Sequence, residues 1–408
     1  MKKIVVFILP FFLLAACSPP TPDIHAMPED GVSRHLLPND LTGYYGTVFP
    51  VVSSPARGLV YSFIGGTPNP NRRGNNFDIE GLEQSLMRNS QRYFDPQDLY
   101  FQEGQHLSRN LVVQLLGRQL TPYQLENSPD SLNIGQNPPA PTRNNNGNVV
   151  RGDSEILIEV GGQQFPSEYI INLAFLIEQN FVSIDGEGEQ QLEGVSIGLA
   201  LNPYQIMPDF VGATPIEVSR QMPEEEVIAR GREIAGNILE ILRATDELSS
   251  IPIMMGLYIL QSRDAVIPGR MVEVGFASRN STEIRTWEPV RENHFLLPDR
   301  QVLEYDTDLV SEYDHFITEL RNGFSPHLSI VGNASFVDGQ LRLLDITIHT
   351  QLYGLAENMS MHQLVGDLVG KMFSPRFNVR VTIRNNREIY GVISRQPNDE
   401  VFVHRFSW

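Results

Sequence analysis

The chain has 408 residues, 41% of them hydrophobic, with one cysteine and a formal charge of −18. That length can bury one large core or two ordinary ones, and a lone cysteine means no disulfide within the chain. So acidic a balance argues against bulk nucleic-acid binding.

The first element is a leader. Lys2 and Lys3 are followed by an apolar, uncharged run from Ile4 to Ala16, with the small Ala15 and Ala16 directly before Cys17. This is the pattern of a secretory signal peptide. Thirteen residues of helix reach only about 20 Å against a hydrocarbon core of about 30 Å, so a permanent span is disfavoured. Leu14-Ala15-Ala16-Cys17 resembles a bacterial lipobox. That resemblance implies a diacylglyceryl transferase acting on the Cys17 thiol and a lipoprotein signal peptidase cutting between Ala16 and Cys17. Two acyl chains, at about 0.8 kcal/mol per buried CH2, would hold the product on the outer face of the cell membrane, where one chain holds only marginally. Loss of Lys2 and Lys3 then moves the formal charge from −18 to −20. The alternative is an ordinary secreted protein with a cysteine there by chance.

Residues 17–38, rich in Pro and Asp, read as a lipidated tether. An N-terminal α+β segment is expected over 39–130. In it Ile79, Leu82, Leu86 and Tyr93 follow helical spacing after Asp78, a residue suited to the N-cap. A short helix is expected from Ser108 to Leu116. Residues 131–152, with Pro138-Pro139-Ala140-Pro141 and Asn144-Asn145-Asn146-Gly147, read as a linker or long loop. The remainder, 153–408, is the expected main α+β domain. Its pattern predicts strands at Glu155 to Val160, Gly194 to Leu201, Ile251 to Leu260 and Met271 to Ala277. Helices are predicted at Ser167 to Asn180, Pro223 to Thr245, Leu303 to Arg321 and Asn358 to Phe373. Asp338-Gly339 marks a type I′ hairpin turn, and three closing strands are expected over 378–383, 389–394 and 400–406. Paired strands mixed with long amphipathic helices give an α+β class with a mixed or antiparallel sheet.

Candidate chemistry is sparse. Gly194-Val195-Ser196-Ile197-Gly198 matches the Gly-x-Ser-x-Gly nucleophile elbow, which needs a strand, a sharp turn at the serine and a helix. Here the apolar run continues through Leu201, which places Ser196 inside a strand. His106, His294, His315, His349 and His362 show no zinc spacing, so no metal site and no cofactor are expected. Glu224-Glu225-Glu226 suits the first turn of a helix. Asp306, Asp308, Glu312 and Asp314 lack the ligand order of an EF-hand loop. Lys371 is the only lysine beyond the leader, and its surroundings lack the spacing of a P-loop. From Lys371 onward Arg376, Arg380, Arg384, Arg387, Arg395 and Arg405 outnumber the acids, a basic surface suited to lipid headgroups or wall polymer, or simply the solvated face of strands. These features point away from an enzyme.

Several stretches together resemble the CamS family of Gram-positive lipoproteins, the sex-pheromone precursors. They are Tyr44-Tyr45-Gly46-Thr47-Val48-Phe49-Pro50, Leu99 to Gln105, Leu176 to Phe181, Leu192 to Asn202, Ile251-Pro252-Ile253 and Tyr353-Gly354, in that order. The resemblance implies two products. One is the anchored lipoprotein. The other is a short apolar pheromone trimmed from the leader, here Pro10-Phe11-Phe12-Leu13-Leu14-Ala15-Ala16, with a peptide receptor as its partner. Pro10 departs from the family's peptides, which begin with a small residue and a branched aliphatic. The competing expectation is a cell-surface binding module for a peptide or a wall component, without a pheromone.

Overall fold

The computed structural model describes residues 32–33, 45–48, 51–57, 75–211, 214–325 and 327–406. In chain order the elements are β1 (Val32–Ser33), β2 (Gly46–Val48), α1 (Ile79–Ser90), β3 (Tyr100–Glu103), α2 (Arg109–Leu115) and α3 (Pro122–Asn127). There follow β4 (Leu157–Val160), β5 (Gln163–Pro166), β6 (Leu173–Ile184), β7 (Gln190–Leu201), β8 (Tyr204–Val211), β9 (Thr214–Gln221), α4 (Glu224–Arg243), β10 (Ile253–Ile259), β11 (Arg270–Ala277) and β12 (Trp287–Pro289). The last stretch holds β13 (Glu292–Leu297), α5 (Leu309–Gly323), β14 (Ser329–Val337), β15 (Gln340–His349), α6 (Leu355–Met372), β16 (Asn378–Arg384), β17 (Ile389–Arg395) and β18 (Phe402–Arg405). The class is mixed α+β.

The first sheet has eight strands in the order β1-β2-β3-β6-β7-β10-β11-β12, with β2/β3 and β7/β10 parallel and the other pairs antiparallel. Both its faces are covered. On one, Val195, Ile197, Leu199 and Leu201 of β7 and Ile253, Met255 and Leu257 of β10 pack against Ile234, Ile238, Leu239 and Leu242 of α4. On the other, Met254 and Tyr258 meet Ile79, Leu82 and Leu86 of α1. Asp78 starts α1 by accepting a hydrogen bond from the Gly81 amide. Its other oxygen accepts from the Tyr258 hydroxyl and from the Gly269 amide, so one carboxylate both caps the helix and fixes it to the sheet.

The second sheet has six strands in the order β13-β14-β15-β16-β17-β18, all antiparallel except the pair β15/β16. The helix α6 is the crossover that a parallel pair requires. One face buries Ile346, Ile348, Val379, Val381, Ile383 and Ile393 against Tyr313 and Phe316 of α5 and Met361 and Val365 of α6. The opposite face carries the half-buried Asp345, Thr347, Arg380 and Thr382, the alternation of a sheet wetted on one side. There Arg380 and Asp345, aligned in register, form an ion pair at 2.6 Å.

Two helix expectations need correction. Ser167 to Asn180 is a single 3-10 turn, Ser167–Tyr169, followed by β6. Leu173 to Val182 is buried without a break, and a strand covered on both faces reads as a continuous apolar run that periodicity cannot tell from a helix. The helix expected from Leu303 starts only at Leu309. A 3-10 segment, Arg300–Glu304, precedes it, and Asp306 interrupts the two by accepting from the Asp308 and Leu309 amides. The Asp338-Gly339 hairpin turn is formed as expected, with positive φ at both residues, 51° and 76°.

Within 131–152 Asn137 is buried, donating to the carbonyls of Leu116 and Leu173 and accepting from the amides of Asn172 and Leu173. Strands from both sides of this stretch share the first sheet, and the change of sheet comes between Pro289 and Glu292.

Candidate functional site

Cys17, Ala16 and the segment Pro10 to Ala16 lie outside the described residues. Ser196 lies inside. It sits in the middle of β7, opposite Gln179 on one neighbour and Met254 on the other, and is fully buried. Its hydroxyl is 2.7 Å from that of Ser90, whose own oxygen is 2.7 Å from the Leu86 carbonyl. No turn or helix follows it, so the elbow geometry is absent. The two glycines have another cause. A Cβ at Gly198 would stand 2.7 Å from Leu82 Cδ1, and one at Gly194 would penetrate the Phe94 ring. The Gly-x-Ser-x-Gly face of β7 is the floor on which α1 and Phe94 rest.

The histidines are dispersed. His106 pairs with Glu247 at 2.9 Å, His294 with the Ser335 hydroxyl at 2.9 Å, and His362 with the Asn358 carbonyl at 2.8 Å. Among the described residues no three His, Cys, Asp or Glu side chains come together as metal ligands. Glu224 and Glu226 pair with Arg270 and Arg230 in the first turns of α4.

Buried charges form clusters that the sequence reading does not identify. Glu292, 1% exposed, accepts from the Ser85 hydroxyl, the Arg88 guanidinium at 2.7 Å and the Asn89 amide. Spacing of three and four residues puts those donors on one face of α1. Burial alone would raise the Glu292 carboxyl, but Arg88 and Ser85 outweigh it and hold the pKa below the ordinary value. Two residues on, burial pushes the His294 imidazole down to about 4. This cluster clasps α1, a helix of the first sheet, to the first residue of the second sheet. Glu178, in the middle of β6, accepts from the backbone amides of Gln105, His106 and Leu107 at 2.8 to 3.1 Å. Burial still leaves its pKa raised. Each carboxylate is saturated by donors and shut away from solvent, which suits a structural tie and not proton transfer to a substrate.

Two of the cavities among the described residues bear on the question of a ligand. One, of about 210 Å³, lies between α4 and the loop at 136–139. Its Arg230 is committed to Glu226, the Asn172 side chain and the Glu159 carbonyl. The other, of about 670 Å³, opens at the carboxyl ends of β15 and β16 and is lined by His349, Thr350, Gln351, Asn385, Asn386, Arg387 and Glu388. It offers hydrogen-bond donors, an imidazole and a guanidinium beside the Glu388 carboxylate, a set that suits a polar group.

No curated protein matches the chain. Among solved structures it is similar to a sex pheromone precursor from Lactobacillus salivarius, at 19% identity and a TM-score of 0.71, covering 93% of this chain and all of that one. It is also similar to the C-terminal domain of the sex pheromone staph-cAM373 precursor from Staphylococcus aureus, at 24% identity and a TM-score of 0.62, over 81% of this chain and 97% of the other. These likenesses establish the fold. The family described as CamS sex pheromone cAM373 precursor matches residues 65–401, which span most of the sequence. The chain therefore belongs to the CamS sex pheromone precursor family.

Proposed function

We propose that this protein is a membrane-anchored extracellular lipoprotein whose leader is trimmed to a short apolar peptide pheromone, and whose folded domain is not an enzyme. The observation that carries the reading is the coincidence of CamS family membership with the sequence Leu14-Ala15-Ala16-Cys17. Two acyl chains on Cys17 would hold the chain at the bilayer, where one is marginal. No helix among the described residues is long and apolar enough to cross a membrane, so anchoring through Cys17 is the attachment this reading needs. The segment Pro10 to Ala16 is uncharged. Such a peptide can pass through or into a bilayer and fill an extended receptor groove.

The non-enzymatic reading rests on Ser196, sealed beneath α1, and on carboxylates that are saturated by donors. Peptide analysis of culture supernatant tests the pheromone. A seven-residue peptide ending at Ala16 is expected. Its absence from cells that process lipoproteins normally would leave the chain as an anchored binding module.

A further inference from the structure

The end of the second sheet away from the Asp338-Gly339 turn gathers groups from three parts of the chain around Tyr390. Its hydroxyl accepts from the Asn385 side chain at 2.7 Å and from the Leu352 amide, and its carbonyl accepts from the Phe406 amide at 2.9 Å. The turn at 385–388 is closed by Asn385, which takes the amides of Arg387 and Glu388. Three segments therefore meet here, namely the start of α6, the turn between β16 and β17, and the end of β18.

Two properties coincide at this end. First, it exposes large apolar side chains, Tyr353 at 81%, Leu355 at 59%, Ile389 at 45% and Phe406 at 43%. Exposed apolar groups gathered in this way mark an interaction surface. Second, it carries Arg384, Arg387 and Arg405 against Glu357 and Glu388, a positive margin in a chain of formal charge −18. Arg387 and Arg405 are exposed and form no ion pair among the described residues. The 670 Å³ cavity opens at this same end, lined by the His349 imidazole, the side-chain amides of Gln351, Asn385 and Asn386, the Thr350 hydroxyl, Arg387 and Glu388. It stands outside the carboxyl ends of the only parallel pair in this sheet, β15 and β16, the place where a crossover leaves a crevice.

We propose that this cavity holds the glycerophosphate headgroup of an anionic phospholipid, with Tyr353, Leu355, Ile389 and Phe406 entering the surrounding lipid. Aromatic and aliphatic side chains enter the interface while cations meet the phosphates, the division of labour seen in interfacial anchors. The folded domain would then lie against the bilayer. This extends the membrane-bound reading but concerns the domain, not Cys17.

The test uses the full chain reconstituted in vesicles, with a nitroxide at Ile389→Cys or, as a control at the opposite end of β15, at Gln340→Cys. In vesicles containing phosphatidylglycerol, collision of the label at 389 with a water-soluble paramagnetic reagent should fall roughly fivefold relative to vesicles of phosphatidylcholine alone. The label at 340 should not change. Arg387→Glu with Arg405→Glu, both at exposed positions, should abolish the protection, as should high salt. Equal accessibility of the 389 label in the two kinds of vesicle would overturn the proposal. So would equal protection by glycerol phosphate without vesicles, which would point to a soluble phosphate ligand. The mass of the purified chain reports independently whether Cys17 carries acyl groups, so failure of the anchor and failure of this site are distinguishable.

Discussion

Ser196 and Glu292 show how differently single residues announce themselves. The Gly-x-Ser-x-Gly pattern is conspicuous in the sequence, yet its glycines exist because α1 lies almost on the backbone of β7. The continuation of the apolar run through Leu201 already argued for a strand, and a strand is what forms. Gly198→Val should therefore destabilise the fold by about 1–3 kcal/mol through overpacking against Leu82, measurable as a shift in the denaturant midpoint. Ser196→Ala should cost only about 1 kcal/mol, the worth of one buried hydrogen bond, and leave the cellular phenotype unchanged.

Glu292, by contrast, gives no signal in the sequence, because its donors lie more than 200 residues away and a lone glutamate at the start of a strand has no pattern. Glu292→Ala would leave the half-buried Arg88 without its carboxylate and should cost about 3 kcal/mol. His294 adds a pH dependence. Its folded pKa, about 4, lies below the unfolded value near 6.5, so the unfolded state binds more protons between those limits. Stability is fully present above pH about 6.5 and is lost as pH falls towards 4. Glu292, whose pKa is also depressed, adds to the loss once pH falls below the ordinary carboxylate value. His294→Gln should flatten the fall in melting temperature between pH 6.5 and about 4 relative to the parent chain. An unchanged slope would mean that the imidazole is not held neutral.

At the level of elements, legibility followed exposure. Amphipathic helices with one wet face were plain in the sequence. The helix α4 runs from Glu224 to Arg243 against an expectation of Pro223 to Thr245, and α1 starts at the cap that Asp78 provides. The strand β6 reads as a helix in the sequence because burial on both faces erases the alternation that identifies a strand. The second sheet was easier, since its wet face restores that alternation in β16, and the Asp338-Gly339 turn fixed one register. Leu239 of α4 packs fully buried against the first sheet, so Leu239→Ala should cost about 2–5 kcal/mol in equilibrium unfolding. A cost below about 1 kcal/mol would show that α4 does not rest on β7 and β10 as described.

For the molecule as a whole, the folded domain and the leader carry separate information. Burial and hydrogen bonding account for the buried Glu178 and Glu292 carboxylates. The leader's message is chemical and local: a short apolar run, two alanines and a cysteine. The proposed processing would act on an extended segment and need no tertiary partners, so its signal is carried by the local sequence alone. The headgroup cavity was not legible, because it assembles from the ends of β15 and β16 and the turn that follows, which come together only when the parallel pair forms. The central claim is that Cys17 becomes the lipid-bearing first residue, and mass spectrometry of the N-terminal peptide from the native protein tests it most directly. The account predicts a peptide that begins at Cys17 with a diacylglyceryl group on sulfur. A peptide that begins at Met1, or a Cys17 with a free thiol, would contradict it.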